Sequence, residues 1–208
     1  MKICIFGADG RTGVEVVKEC VKQGYQVIAF VYNDTAKVYL PKGIEIVKGD
    51  ILNKEEVLNA MRGANAVISV VGHIKNSDPL MQTKGMTNIV EGMKNLDIER
   101  IISLTGTGVR IEGDTPSFFD RIGNAIIKIV DRKRIIDGIN HAEVLKSSGL
   151  DWTILRVLKL TQIGSSNISY TLTPHGPAEA VTSRKKVAKI MVDIVISNQY
   201  VGEMPVSS

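Results

Sequence analysis

The chain has 208 residues, 44% of them hydrophobic, which is enough to bury one sizeable core and calls for no second independent domain. A net charge of +4 is modest and aromatic residues make up 5%, leaving little for stacking on bases, so a nucleic-acid partner is disfavoured. The opening run reaches Gly7 and Asp9 too soon for a secretory signal, and no stretch approaches the roughly 18 apolar residues of a membrane span. A cytoplasmic protein with no membrane partner is the expectation.

Strands and helices alternate from the N-terminus, the pattern of a parallel sheet covered by helices on both faces. Residues 2–6 read as a short apolar strand, and residues 12–23 carry Val14, Val17 and Val21 at helical spacing before Gly24 ends the run. A second strand is predicted over 26–31, a third over 44–47, and a helix over 54–62 that Gly63 closes. Residues 66–71 are nearly all apolar and rich in β-branched side chains, as a strand covered on both faces requires. A helix over 80–95, a fifth strand over 100–104, a helix containing 139–146 and a sixth strand over 152–156 follow.

Six strands with crossover helices predict a doubly wound, Rossmann-type α/β fold, read as a single domain over 1–208. Residues 105–131 break the rhythm: Gly106, Gly108, Gly113 and Pro116 precede Phe118, Phe119, Ile122 and Ile126 at helical spacing. This insertion is a candidate lid on the substrate side, with plain core packing as the simpler account of its apolar stripe. The small C-terminal region over 157–208 is expected to add a strand near 169–173, a helix over 184–196 and a terminal strand over 200–206. Cys4 and Cys20 lack any C-x-x-C or Cys/His spacing, so both read as structural thiols and no metal site is expected. The basic clusters Arg132-Lys133-Arg134 and Arg184-Lys185-Lys186 read as solvated helix faces.

The segment Gly7-Ala8-Asp9-Gly10-Arg11-Thr12-Gly13 joins the first strand to the first helix. Exposed N–H groups and the positive end of the helix dipole bind a diphosphate there without needing a cationic side chain. Gly7 permits the turn, Gly10 the close approach of the ligand, and Gly13 the packing of helix on sheet. The bare spacing is weak in a chain with 19 glycines; its position between an apolar strand and an amphipathic helix is what assigns nucleotide binding. Folds that prefer NAD place an acid at the end of strand two; here the chain reads Val31-Tyr32-Asn33-Asp34, with the acid Asp34 two residues beyond the key position. Tyr32 holds the key position, and Arg11 and Lys37 are placed to meet a 2′-phosphate. The balance favours NADP, with NAD left open.

With this loop, Gly49-Asp50-Ile51 after strand three, Val70-Val71-Gly72 after strand four, and Ser148-Gly149-Leu150-Asp151-Trp152-Thr153-Ile154-Leu155-Arg156 at strand six, the chain resembles the atypical short-chain dehydrogenases/reductases. Within them it is most similar to the NmrA-like proteins and to flavin reductases of the biliverdin reductase B type. The resemblance covers nearly the whole chain. It implies that Asp50 and Ile51 contact the adenine, that Val71 and Gly72 pass beside the diphosphate and ribose, and that Leu104 and Thr105 approach the nicotinamide. The chain departs from that pattern in having Tyr32 where an Arg is frequent, Val157 where a Pro is frequent, and Gly106 where the flavin-reductase type carries a serine.

The acid/base pair familiar in short-chain dehydrogenases is a Tyr followed four residues later by a Lys. Tyr25, Tyr32, Tyr39, Tyr170 and Tyr200 are followed at that spacing by Ala29, Ala36, Gly43, Pro174 and Met204. The pair is absent, which argues against a ketone reduction that needs a tyrosine proton donor. Reduction of a flavin or quinone can instead take hydride from the cofactor and its proton from solvent. His73, Thr105 and Thr107 are the candidate acid/base or orienting residues.

The leading expectation is an NAD(P)H-dependent reductase of a flat small-molecule acceptor. The alternative is an NmrA-like protein that senses the NADP/NADPH ratio and regulates a protein partner without turnover. A pocket lined by Phe118 and Phe119 would favour the first, and a closed site with a large exposed apolar patch the second. A sugar-nucleotide epimerase is disfavoured by the missing tyrosine pair and by the short region after strand six.

Overall fold

The structure, a computed structural model, describes residues 1–33, 39–74, 76–164 and 169–208. In chain order its first half comprises β1 (Lys2–Phe6), α1 (Arg11–Lys22), β2 (Gln26–Val31), β3 (Glu45–Lys48), α2 (Lys54–Ala60), β4 (Ala66–Ser69) and α3 (Met81–Asn95). Then come β5 (Arg100–Gly106), α4 (Phe118–Val130), α5 (Arg132–Lys146), β6 (Asp151–Val157), β7 (Leu160–Thr161), β8 (Leu172–Thr173), β9 (Thr182–Ser183), α6 (Arg184–Ser197) and β10 (Val206–Ser207).

Strands β1 to β6 pair in parallel in the order β3-β2-β1-β4-β5-β6, the doubly wound arrangement. β10 adds in parallel beside β6 and β8 closes the edge antiparallel to β10, making an eight-stranded sheet. Strand order reverses at β1 and β4, so the crevice outside their C-terminal ends is where this topology binds ligands. Side-chain alternation divides the core in two. Ile3 and Ile5 face the layer of α1 and α6, whereas Cys4 and Phe6 face the layer of α2, α3 and α5. Burial on both faces is why the strands read as unbroken apolar runs.

The predicted terminal strand over 200–206 shrinks to Val206–Ser207. Asn198 and Tyr200 take left-handed backbone angles and Gly202 follows with φ 75°, so the chain turns after α6 instead of extending. Likewise β8 occupies only Leu172–Thr173 of the predicted 169–173, and β4 stops at Ser69, with the Val71 carbonyl turned to accept from the Gln82 side chain at 2.9 Å. The solvated reading of residues 184–186 is corrected as well: Arg184 and Lys186 are buried, the latter paired with Glu179 at 3.0 Å. Both thiols are buried, and burial drives the pKa of Cys4 far up and that of Cys20 up to about 12, consistent with structural roles.

Arg156 fastens the C-terminal half. Its fully buried guanidinium donates to Asp114 Oδ1 (2.9 Å) and Oδ2, to the Met204 carbonyl (2.7 Å), the Pro174 carbonyl (2.8 Å) and the Val109 carbonyl (3.3 Å). Burial works against the Asp114 carboxylate, but hydrogen bonds from Arg156 and the Ile111 N–H outweigh it and hold its pKa below the ordinary value. Removing one partner leaves a buried charge uncompensated, so Asp114→Asn is expected to cost about 3–5 kcal/mol in chemical denaturation.

A second buried polar contact joins β5 to α5, where the Ser103 hydroxyl lies 2.8 Å from His141 Nε2. Burial pushes the His141 pKa from 6.5 down to about 4. Between those values the unfolded chain binds a proton that the folded chain refuses, so stability should fall as pH drops from about 6.5 to 4, by about 3 kcal/mol from this group. Thermal melts across that window check this. The variant His141→Asn, though less stable at neutral pH, should lose that part of the slope.

Candidate functional site

Two glycines of the first loop are required by contact. Gly7 has φ +77°, and a Cβ there would lie 3.1 Å from the carbonyl carbon and oxygen of Val70 and from the Val71 nitrogen. A Cβ on Gly13 would sit 2.0 Å from the Gly7 carbonyl oxygen. Gly10 is the N-cap of α1 with no side chain to bond the first turn, and that turn holds no acid. The opening N–H groups of α1 are thus left to meet an anion, as a diphosphate requires.

Above the switch point lies a cleft of about 360 Å³, within the range of ligand pockets, lined among others by Gly7, Gly10, Tyr32, Asp50, Ile51, Val71 and Gly72. It gathers most of the residues expected to hold the cofactor. Asp9 also borders it, but its carboxylate accepts from the backbone N–H groups of Tyr32 and Asn33, each at 3.0 Å, and so locks the end of β2 to the loop. Asp9 therefore positions the site, and a second carboxylate role toward phosphate would be repulsive. Asp50 is fixed through its N–H to Glu56 (2.7 Å) and through its own carboxylate to the Leu52 N–H (2.9 Å). Lys37 and Asp34 lie outside the described residues; Tyr32 and Asn33 end the described part of this segment without a carboxylate. Thr12 is buried within the first turn of α1.

A cation that sequence reasoning missed stands near Arg11. Arg184, at the start of α6, is only 8% exposed. Burial first, and then the charge of Arg11, lower its pKa. Two cations in that relation favour an anion between or beside them. The sequence offered no signal, because Arg184 sits in a basic run that reads as surface.

At the end of β5, Leu104 packs into the core and Thr105 borders a cavity of about 130 Å³ with Gln82, Gly106, Asn124, Ile127, Arg134 and Gly138. The Thr105 hydroxyl has no hydrogen-bond partner among the described residues, so it is available to a ligand. Thr107 is not. It is buried, donates to Asp120 at 2.7 Å and accepts from Asn124 at 3.1 Å, which removes it from the catalytic candidates.

His73 is committed too. Its Nε2 lies 2.9 Å from Asp137, a close ionic approach without hydrogen-bond alignment, and its Nδ1 lies 3.2 Å from the Ser77 hydroxyl. Asp137 in turn accepts from the N–H groups of Gln82 and Thr83, each at 2.9 Å, and so seats the start of α3. No spacing in the sequence brings Asp137 to His73; the crossover of the chain does.

The expected lining by Phe118 and Phe119 is corrected. These rings are 71% and 69% exposed, and α4 turns Asp120 and Asn124 inward instead. The physical reason is a polar seam: Asp120 holds Thr107, Asn124 and, at 2.8 Å, Arg110, and this fixes the rotation of the helix. No cluster of metal-ligating side chains occurs among the described residues.

A family model described as NAD(P)H-binding matches residues 7–198. The photosystem II assembly factor Ycf39 of Cyanophora paradoxa is 26% identical over 162 residues, covering 76% of this chain and 45% of that protein. This chain spans less than half the length of the curated relatives it matches. A wide-type short-chain dehydrogenase/reductase of Veillonella parvula, solved with NADP, superposes with a TM-score of 0.81 at 18% identity, covering 100% of this chain and 94% of that one. The anaerobillin reductase ChuY of Escherichia coli O157:H7 superposes with a TM-score of 0.78 at 17% identity, over 99% and 97% of the two chains. Both likenesses establish the shared fold.

Gly13→Ala tests the loop. The added methyl cannot be accommodated without moving the Gly7 carbonyl, so NAD(P)H affinity measured by fluorescence titration should fall at least tenfold, a loss of about 1.4 kcal/mol.

Proposed function

The chain belongs to the NAD(P)H-binding family of Rossmann-like, atypical short-chain dehydrogenases, and we propose that it works as an NADPH-dependent reductase of a flavin, quinone or similar flat acceptor. One observation carries this reading. The diphosphate loop is complete, and the cavity at the end of β5 is lined by the Thr105 hydroxyl together with Gln82, Asn124 and Arg134, with no tyrosine, histidine or carboxylic acid among its described lining. Such a site can orient an acceptor and has no side chain suited to protonating a ketone. It therefore suits an acceptor that draws its proton from water.

The reduced nicotinamide supplies the hydride when bound. The chain supplies orientation: the α1 N-terminus and Arg11 hold the diphosphate, the backbone at Val71 and Gly72 guides the ribose, and Thr105 donates to an acceptor carbonyl or to the carboxamide. Preference for NADPH is supported by Tyr32 in place of a carboxylate at the end of β2 and by the cations Arg11 and Lys37, with Asp34 as the residue that would favour NAD. The resemblance to flavin reductases of the biliverdin reductase B type, and the shared fold of the anaerobillin reductase ChuY, support turnover, whereas the NmrA-like resemblance supports the sensor.

A second reading, a cofactor sensor without turnover, draws support from the cavity beside Thr105, which at about 130 Å³ is smaller than the usual ligand pocket, and from Phe118 and Phe119, which line neither this cavity nor the cleft and stand in an exposed apolar patch. Fluorescence titration with NADPH and NADH, followed by addition of FMN or a simple quinone and absorbance at the nicotinamide band, separates the two. Turnover with NADPH preferred is expected, and Thr105→Val should lower kcat/KM about tenfold, the effect of one lost hydrogen bond, with NADPH affinity unchanged if Thr105 serves the acceptor and weakened if it serves the carboxamide. Tight binding with no turnover would move the assignment to the sensor.

A further inference from the structure

Helix α4 is built inside out. With 100° per residue, Phe118, Phe119, Ile122, Ile126, Ile129 and Val130 fall within an arc of about 120°, while Asp120 and Asn124 lie on the opposite side. The polar side is the buried one and the apolar arc faces solvent, with Ile129 86% and Val130 78% exposed. Rotation about the helix axis cannot repair this, because Asp120 is held by Thr107 and Arg110, and Asn124 by Thr107, all from outside the helix. Exposed apolar patches of this kind mark sites of contact with another phase or molecule.

The surrounding charge selects the occupant. Between residues 117 and 134 the sequence carries five cations, Arg121, Lys128, Arg132, Lys133 and Arg134, all exposed. Its acids are Asp120, which is buried, and Asp131, which caps α5 through the Arg134 N–H and pairs with the Arg134 guanidinium at 3.2 Å, leaving Arg121, Lys128, Arg132 and Lys133 as the rim. Arg121 and Lys128 flank the apolar arc, and Arg132 and Lys133 continue past its C-terminal end. A second copy of the chain placed on this face would bring two basic rims together. An acidic lamellar surface meets both features at once: acyl chains take the apolar arc and lipid phosphates take the rim. No helix among the described residues is long and apolar enough to cross a membrane, so contact is confined to the interface.

We propose that α4 docks this protein on an anionic lipid surface, with its apolar arc in the headgroup boundary and the basic rim on lipid phosphates. The inference is independent of the reductase reading, since it uses none of the cofactor residues.

Flotation of the full chain with phosphatidylcholine vesicles, with and without phosphatidylglycerol, tests it. Binding to the phosphatidylglycerol vesicles and loss of that binding at about 0.5 M salt are expected. The variant Lys128→Gln/Arg132→Gln/Lys133→Gln should bind roughly a hundredfold more weakly, at about fivefold per cation removed. Phe118→Ser/Phe119→Ser/Ile129→Ser should lose binding on the order of a hundredfold while its thermal melt stays near that of the parent, because these side chains are exposed. Equal binding to uncharged vesicles would overturn the proposal. So would a folded protein that floats with neither vesicle, which would leave the face to a protein partner. A dimer in sedimentation that the serine variant dissolves, without vesicle binding, would assign the face to a second copy and overturn it equally.

Discussion

The backbone of the first loop passes so close to its neighbours that no side chain fits at two of its positions, and the rest of the site is arranged around that contact. Gly7 lies against Val70 and Val71 at the end of β4, and Gly13 lies against Gly7. These two contacts set the first turn of α1 above the point where strand order reverses. Asp9 then ties the loop to the end of β2 through the N–H groups of Tyr32 and Asn33. The crevice is therefore bounded by backbone held in place by other backbone, which is how a fold can present N–H groups to an anion without reorganising on binding. Side chains such as Arg11 and Arg184 add charge to a geometry that already exists.

The C-terminal half is built on a different principle. Here three buried carboxylates do the organising: Asp114 with Arg156, Asp137 beside His73 and at the start of α3, and Asp120 with Arg110 and Thr107. The first two join segments far apart in sequence, the third ties α4 to the loop just before it, and each demands that its neighbours satisfy it, since a buried charge left unpaired is costly. The rotation of α4 follows from the third carboxylate. Once Asp120 must face inward, the apolar residues at the complementary helical positions have nowhere to go but out. An exposed apolar arc is in this sense the consequence of a buried polar seam.

This difference explains what could be read from the sequence. The strands, the loop and the order of β1 to β6 were legible because apolar runs, helical spacing and glycine placement are local signals that burial on two faces leaves intact. The roles of Thr107 and His73 were not. A threonine after β5 and a histidine after β4 look available in one dimension, and only the fold brings Asp120 and Asp137 to them. Phe118 and Phe119 misled for the same reason: helical spacing gives the period of a stripe and says nothing of which side faces the core. The short β10 escaped because left-handed residues at Asn198 and Tyr200 carry no strong sequence mark.

The same helix links the two halves of the functional argument. Asn124 and Ile127 on its inner side border the cavity next to Thr105, while its outer side carries the apolar arc. Asn124 also bonds Thr107 and Asp120, so any shift of α4 is felt at the loop that follows β5. A displacement of α4 would therefore have to break these buried hydrogen bonds or move the cavity lining with it. A buried hydrogen-bonded seam makes this attachment rigid, whereas an apolar interface of the same size would let the helix slide and repack. The inward polar face of α4, a liability if packing alone counted, is what gives the helix one position.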